Sequence, residues 1–170
     1  MSLHASDALD FCLSLSHAHA RLSLKMDEEL GVFHGLGFGD FMLLHRLGNV
    51  PGGRLAMEDL AQALGMTLSA LTRKMLSLEK IGLAARDAGL GGDGPRHALI
   101  RPVGRRLMEE ATVTARALCK VAVQPLDAAC LPDIQRAMLA LCLPLPPGDP
   151  AAHLARTQKS TCQPTPSTPP

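Results

Sequence analysis

The chain has 170 residues, of which 46% are hydrophobic, so it is long enough to bury the core of one domain. Only 2% of its residues are aromatic, which favours packed helices with Leu, Ala, Val and Met in the core and argues against a β-sandwich. The net charge of +1 excludes a polycation, but nine Lys/Arg and five Asp/Glu lie between Arg54 and Arg106. A basic segment between acidic flanks is typical of a module that binds nucleic acid.

The five cysteines are scattered and include no C-x-x-C pair, which argues against a disulfide framework and a zinc ribbon. An odd number of separate thiols fits a reducing compartment. Acidic Asp7 and Asp10 stand where a signal peptide needs basic residues, and no apolar run reaches the length of a membrane span. We therefore expect a cytoplasmic protein with no membrane partner.

Helical periodicity predicts helices at about 7–30, 41–47, 56–64, 68–81, 102–123 and 133–141. The first is expected to end near Gly31, and Asp40 is expected to help open the second. Thr67 is the predicted N-cap of the fourth helix, and Pro102 suits the first turn of the fifth. Pro125 and Pro132 are expected to break the chain before the last helix.

The segment LAARDAGLGGDGPRHALI, residues 83–100, predicts a β-hairpin because a glycine-rich turn separates two short strands. From Pro144 onward the chain has eight prolines in 27 residues, which predicts a disordered tail over 144–170. The expected fold class is mainly α with a small β-hairpin wing, in the order of a winged helix-turn-helix.

In the fourth predicted helix, Leu71, Met75 and Leu78 recur at i, i+4 and i+7, which predicts a stripe facing the core. Polar side chains lie mostly off that stripe, including Thr72 and Arg73. In a winged helix-turn-helix the second helix of the pair enters the major groove of DNA, where an arginine can bind guanine.

The sequence resembles the multiple-antibiotic-resistance regulator (MarR) family of bacterial transcription factors. The similar segments are LAMEDLAQALGMTLSALTRKMLSLEKIGLAAR and DGPRHALIRPVGRRLMEEA. They contain the family's S-x-x-(S/T)-R pattern at Ser69 to Arg73, and its L-E-x-x-G-L-x-x-R pattern at Leu78 to Arg86. The wing departs from the family pattern, because Asp93 and Arg96 are one residue further apart and Ile100-Arg101 replaces Leu-Thr.

The resemblance implies contacts from Ser69, Thr72 and Arg73 to base edges, and from Lys74 to phosphates. Arg96 is the candidate for insertion into the minor groove, and Arg86 and His97 complete the predicted DNA-binding set. The resemblance also implies that the chain forms a homodimer and binds a pseudo-palindromic operator. The predicted layout is one domain over 1–143, with dimerisation helices at 7–30 and 102–142 around a DNA-binding lobe at 40–101.

Family members typically couple a signal to release from DNA. A small aromatic or phenolic ligand would contact a cleft near residues 33–46, where the candidates are Phe33, His34, Phe38, Phe41, Met42 and His45, with Arg21 as carboxylate partner. The competing interpretation is that Phe38, Phe41 and Met42 are core residues.

Two other signals are less favoured by the residues. Cys12 is a candidate for thiol oxidation, but the chain has no tyrosine to activate it, and a buried structural cysteine is the preferred interpretation. His17 and His19 lie on different helix faces and cannot share a metal in the i, i+4 manner.

The sequence therefore predicts a DNA-binding transcription regulator, a repressor by expectation, with no cofactor and no metal. No nucleotide-binding or nucleophile motif supports an enzyme. Two alternatives stay open, namely a thiol-based redox regulator and a winged-helix module that binds protein instead of DNA.

Overall fold

The structure is a computed structural model that describes residues 5–87 and 97–142. Its helices are α1 Ala5–His34, α2 Phe38–Gly48, α3 Met57–Ala63, α4 Leu68–Lys80, α5 Pro102–Val123 and α6 Leu131–Leu141. Its strands are β1 Arg54–Ala56, β2 Ala84–Asp87 and β3 His97–Ile100, and a 3₁₀ turn spans Pro51–Gly53. The prediction of a mainly α chain with a β-hairpin wing is confirmed.

The three strands form one antiparallel sheet in the order β1-β3-β2. The central strand β3 places Ala98 opposite Leu55 on one side and Arg86 on the other, and Ala98 is fully buried. The hairpin of β2 and β3 was predicted, whereas β1 was not. A three-residue strand is too short to show an alternating pattern, so only its pairing with β3 identifies it.

One apolar cluster forms the core of the lobe that carries the helix-turn-helix and the wing. It joins the second half of α1, helices α2 to α4, the sheet and most of α5. Its fully buried large side chains are Met26, Leu30, Leu36, Leu43, Leu44, Leu47, Leu60, Leu71, Met75 and Leu78. The first half of α1 is different, because every side chain from residue 6 to residue 21 is exposed. The lobe therefore has its own core, and α1 extends beyond it.

Several helix boundaries differ from the predictions. Helix α1 continues through Gly31 and ends at His34, because Gly35, with φ of 64°, is the residue that adopts the left-handed conformation. Helix α2 begins at Phe38, earlier than predicted, because the carboxylate of Asp27 accepts a hydrogen bond from the Phe38 N–H at 2.6 Å. Pro132 lies in the first turn of α6, where its missing N–H is tolerated.

The chain divides into two compact units at Pro125, and α6 belongs to the second. Helix α6 is amphipathic, yet none of its side chains is buried within the chain. The domain limits of 1–143, 7–30, 102–142 and 40–101 stay predictions. The expected disordered tail at 144–170 lies outside the described residues.

The start of α5 closely approaches the segment between α4 and β2 at Gly104. A Cβ on Gly104 would overlap the backbone carbonyl of Leu83, which already accepts a hydrogen bond from the Arg101 N–H at 3.0 Å. We predict that Gly104→Ala lowers the free energy of unfolding by about 1–3 kcal/mol, since backbone cannot move aside as a side chain can. Urea denaturation followed by circular dichroism measures the change.

The matched control is Gly31→Ala, inside α1, where a Cβ would have no atom within 4 Å. This substitution should stabilise the protein by about 0.5–1 kcal/mol through helix propensity. Equal effects of the two substitutions would contradict the close approach at Gly104.

Candidate nucleic-acid interface

Helices α3 and α4 form the helix-turn-helix, with the turn at residues 64–67. The predicted N-cap of α4 is confirmed, because the Thr67 hydroxyl accepts a hydrogen bond from the Ala70 N–H at 3.2 Å. The predicted stripe is also confirmed, since Leu71, Met75 and Leu78 are at most 1% exposed. Packing of this stripe fixes which face of α4 points outward.

The outward face of α4 carries Ser69, Arg73 and Ser77, which are all exposed. Within the described residues, no hydrogen bond or ion pair involves the guanidinium of Arg73. Thr72 differs, because it is half-buried and its hydroxyl donates to the Leu68 carbonyl at 2.8 Å. Among the base-contact candidates, Ser69 and Arg73 are thus the most accessible, and the Thr72 hydrogen is already donated within the helix.

Lys74 has a partner inside the lobe. Its Nζ lies 2.8 Å from Oδ1 of Asp40, and both side chains are about one-third exposed. The Lys74 stem also passes over the backbone of Gly39, where an added Cβ would come within 3.0 Å of Nζ. This pair ties α4 to the first turn of α2, so a phosphate contact by Lys74 stays a prediction.

Arg86 is paired with Glu79 where α4 leads into β2. The guanidinium donates from Nε to both carboxylate oxygens at 3.1 Å and from Nη2 to Oε2 at 2.9 Å, and the Arg86 N–H donates to Oε1 at 2.6 Å. These hydrogen bonds hold the pKa of Glu79 below its usual value. Arg86 therefore joins the wing to α4, and its predicted DNA contact has no direct support from this geometry.

At the base of the wing, Arg54 connects the two outer strands. Its Nη2 lies 2.9 Å from Oδ2 of Asp87 in β2 and 3.2 Å from Nδ1 of His97 in β3. His97 is half-buried there. Arg96, the candidate for the minor groove, lies outside the described residues.

A slot of about 230 Å³ lies between α1, α2 and the helix-turn-helix turn. Its lining residues are His19, Ser23, Asp27, Phe38, Gly39, Met42, Leu64 and Met66. Two of the predicted ligand residues, Phe38 and Met42, are therefore together in one cavity. Phe38 is half-buried and Met42 is exposed, whereas Phe41 is buried in the core.

The other ligand candidates lie elsewhere. Arg21 is exposed on α1 and does not line the slot. His34 faces α5, where its Nε2 lies 2.8 Å from Oγ1 of Thr114. His45 lines a separate polar depression of about 310 Å³ between α2 and α5, together with Arg105 and Arg116.

The polar wall of the slot was not predicted from the sequence. His19, Ser23 and Asp27 are at i, i+4 and i+8 of α1 and so share one helix face, and this spacing was the available signal. The expectation that Cys12 is buried is wrong, because it lies on the uncovered first half of α1. No group of three metal-binding side chains occurs within residues 5–87 and 97–142.

Comparisons with known proteins show which solved structures share this fold. No protein-family model matches the sequence, and a search of curated proteins finds no similar sequence. Among solved structures, the regulator Sco3205 of Streptomyces coelicolor, in complex with DNA, has 23% identity and a TM-score of 0.74, over 88% of this chain and 97% of its own. The chain has the MarR fold.

Two further structures share the MarR fold. AbsC of Streptomyces coelicolor has 21% identity and a TM-score of 0.69, covering 93% of this chain and 99% of its own. CouR of Rhodococcus jostii RHA1, bound to p-coumaroyl-CoA, has 18% identity and a TM-score of 0.70, covering 86% and 100%. In this chain, no helix within residues 5–87 and 97–142 is long and apolar enough to cross a membrane.

The pair of Glu79 and Arg86 predicts a pH dependence of stability. Because the folded-state pKa of Glu79 is lowered from 4.5, its contribution is present above about that pH and is lost as the pH falls through the folded-state value. Glu79→Gln should lower the free energy of unfolding by about 1–2 kcal/mol at pH 7 and by nearly nothing in strong acid.

Urea denaturation at several pH values from 7 down into acid measures the free energy of unfolding of both proteins. Glu110→Gln, at an exposed position of α5, is the control and should change little. A Glu79→Gln effect that stays the same in acid would mean that the carboxylate charge is not what stabilises the wing.

Proposed function

We propose that this chain is a transcription regulator that binds DNA as a homodimer, with α4 in the major groove and the wing beside it. It recognises a pseudo-palindromic operator, because the two-fold axis of a dimer is copied onto its site. It acts as a repressor that a small ligand releases from DNA. The neighbour Sco3205, solved with DNA, supports the first part, and CouR, solved with p-coumaroyl-CoA, supports the second.

One observation carries the proposal. The exposed Arg73 projects from the outer face of α4, at the position in a helix-turn-helix and wing that faces DNA. A protein-binding surface would more often present several apolar anchors there. The outer face of α4 carries polar Ser69, Arg73 and Ser77, and the large apolar side chain of Leu76 is exposed beside them. The geometry thus favours DNA over a protein partner.

Exposed apolar side chains support the homodimer. Helix α1 exposes Leu9, Phe11 and Leu13 by 47–59%. Considered by itself, α6 exposes Leu139 and Leu141 by more than half. Large apolar surfaces of this kind mark interfaces, and a second copy of the chain is the partner that we propose.

We place the regulator in the cytoplasm, where bacterial DNA is accessible, and we assign it no enzymatic activity. The redox alternative would use Cys12, which is exposed on α1. Within the described residues of α1 and α5, no basic side chain contacts the Cys12 thiol to activate it. We therefore prefer the hypothesis of a small ligand.

Selection from a pool of random DNA duplexes tests the function. The protein should enrich one pseudo-palindromic sequence and bind it as a dimer, with an affinity that falls steeply as salt rises. Recovery of no common sequence, together with salt-independent binding, would favour the protein-interaction alternative.

Arg73 is expected to discriminate between bases. We predict that Arg73→Ala weakens binding to the selected duplex by about 1–3 kcal/mol per half-site and relaxes the preference at one base pair in each half. Fluorescence anisotropy with duplexes altered at single positions measures both effects. Lys25→Ala removes the same charge from α1, and it should leave the base preference unchanged.

Lys74 is expected to orient α4 through Asp40 instead of contacting a phosphate. Lys74→Met and Asp40→Asn should then weaken binding to all duplexes similarly, and their combination should be no worse than either alone. The slope of log affinity against log salt concentration should stay unchanged in all three variants. A slope reduced by about one unit per protomer in Lys74→Met alone would restore the phosphate contact predicted from sequence.

A further inference from the structure

The slot between α1 and α2 has two unlike walls. Phe38 and Met42 of α2, with Leu64 and Met66 beside the turn, form an apolar wall. His19, Ser23 and Asp27 of α1 form the polar wall opposite. Such a cavity binds a molecule with an apolar body and a polar end.

The size of the slot limits its occupant. Its volume of about 230 Å³ is below the range of about 300–1,000 Å³ that is usual for drug-sized ligands. A single aromatic ring with a short side chain fits this space, and a ring can stack on Phe38. The slot therefore selects one-ring compounds.

The charge of the polar wall selects the functional group. No Lys or Arg is among the residues that line the slot, and Asp27 contributes a carboxylate. One oxygen of Asp27 accepts the hydrogen bond from the Phe38 N–H, but a carboxylate can accept several hydrogen bonds. A ligand carboxylate would face this like charge, whereas an amine or hydroxyl can donate a hydrogen bond to it.

From this geometry we infer that the slot binds one-ring molecules that end in an amine or a hydroxyl, and that it discriminates against aromatic acids. Asp27 is the specificity-determining residue, and Ser23 and His19 offer further hydrogen bonds. The inference rests on the proposed function in identifying the slot as the site of the releasing ligand.

The position of the slot explains how its occupant can act on DNA binding. Leu64 and Met66 flank Gly65 in the helix-turn-helix turn itself. On the other side, Gly39 lines the slot and lies next to Asp40, which holds Lys74 of α4. A molecule in the slot therefore contacts the turn that leads into α4, and it also contacts Gly39 beside the Asp40–Lys74 pair that holds α4.

Three matched probes test the ligand class, namely phenethylamine, 2-phenylethanol and phenylacetate. The protein is labelled with ¹³C at its methionine methyl groups, and titrations follow the signals of Met42 and Met66 in the slot. Met108, which lines the separate depression with Arg105 and Arg116, reports any binding of a probe at that second place. We expect phenethylamine to bind about tenfold more tightly than phenylacetate, as one screened charge contact would give, with 2-phenylethanol between them. Equal binding, or preference for phenylacetate, would overturn the inference.

Two variants make the test specific. Asp27→Asn removes the charge but keeps an oxygen that can accept from the Phe38 N–H, so it should fold and lose the preference for the amine. Ser23→Leu, a favourable replacement in a helix, should fill the slot and abolish the shifts for every probe. A preference that persists in Asp27→Asn, or shifts that persist in Ser23→Leu, would place the binding elsewhere.

The two proposals fail in different ways. If the protein without ligand selects no DNA sequence, the proposed function fails whichever probe binds. If it selects an operator but shows no preference among the probes, only the ligand class is wrong.

Discussion

The orientation of α4 depends on one packing contact, the burial of Leu71, Met75 and Leu78 in the core of the lobe. Because these residues form a single stripe, their burial determines the rotation of the helix about its axis and turns Ser69 and Arg73 outward. The ion pairs of Lys74 with Asp40 and of Glu79 with Arg86 then flank the stripe and join α4 to α2 and to β2. Burial of the stripe stabilises the packing of α4 on the core, and the two ion pairs restrict the orientation of the helix in the lobe.

Local signals in the sequence were sufficient for most of the fold. The stripe of α4, its Thr67 cap and the two strands of the hairpin are each encoded locally, and the described residues contain the stripe, the cap and the pairing of β2 with β3. Strand β1 was missed because its only evidence is pairing with β3, more than forty residues away. The same reason applies to Lys74, whose partner Asp40 is distant in sequence and shares no motif with it.

The slot between α1 and α2 shows where sequence reasoning reaches its limit. Leu22, Met26 and Leu30 face the core at i, i+4 and i+8 of α1. The side chains directly before and after each of them point about 100° away, in opposite directions around the helix axis. Ser23 therefore turns toward the slot and Arg21 turns away from it, although both are polar and close in sequence. Choosing between them requires the phase of α1 relative to α2, which only the packed structure provides.

The internal pairs limit the positive charge that a chain with a net charge of +1 can present to DNA under the proposed function. Arg54, Lys74 and Arg86 lie in the basic segment, but carboxylates of Asp87, Asp40 and Glu79 neutralise them within the lobe. Fewer cations then remain for phosphates, and each neutralised phosphate adds to affinity by releasing counterions. A single lobe with few such contacts would bind weakly, so the proposed operator recognition requires two copies of the chain that contact DNA together.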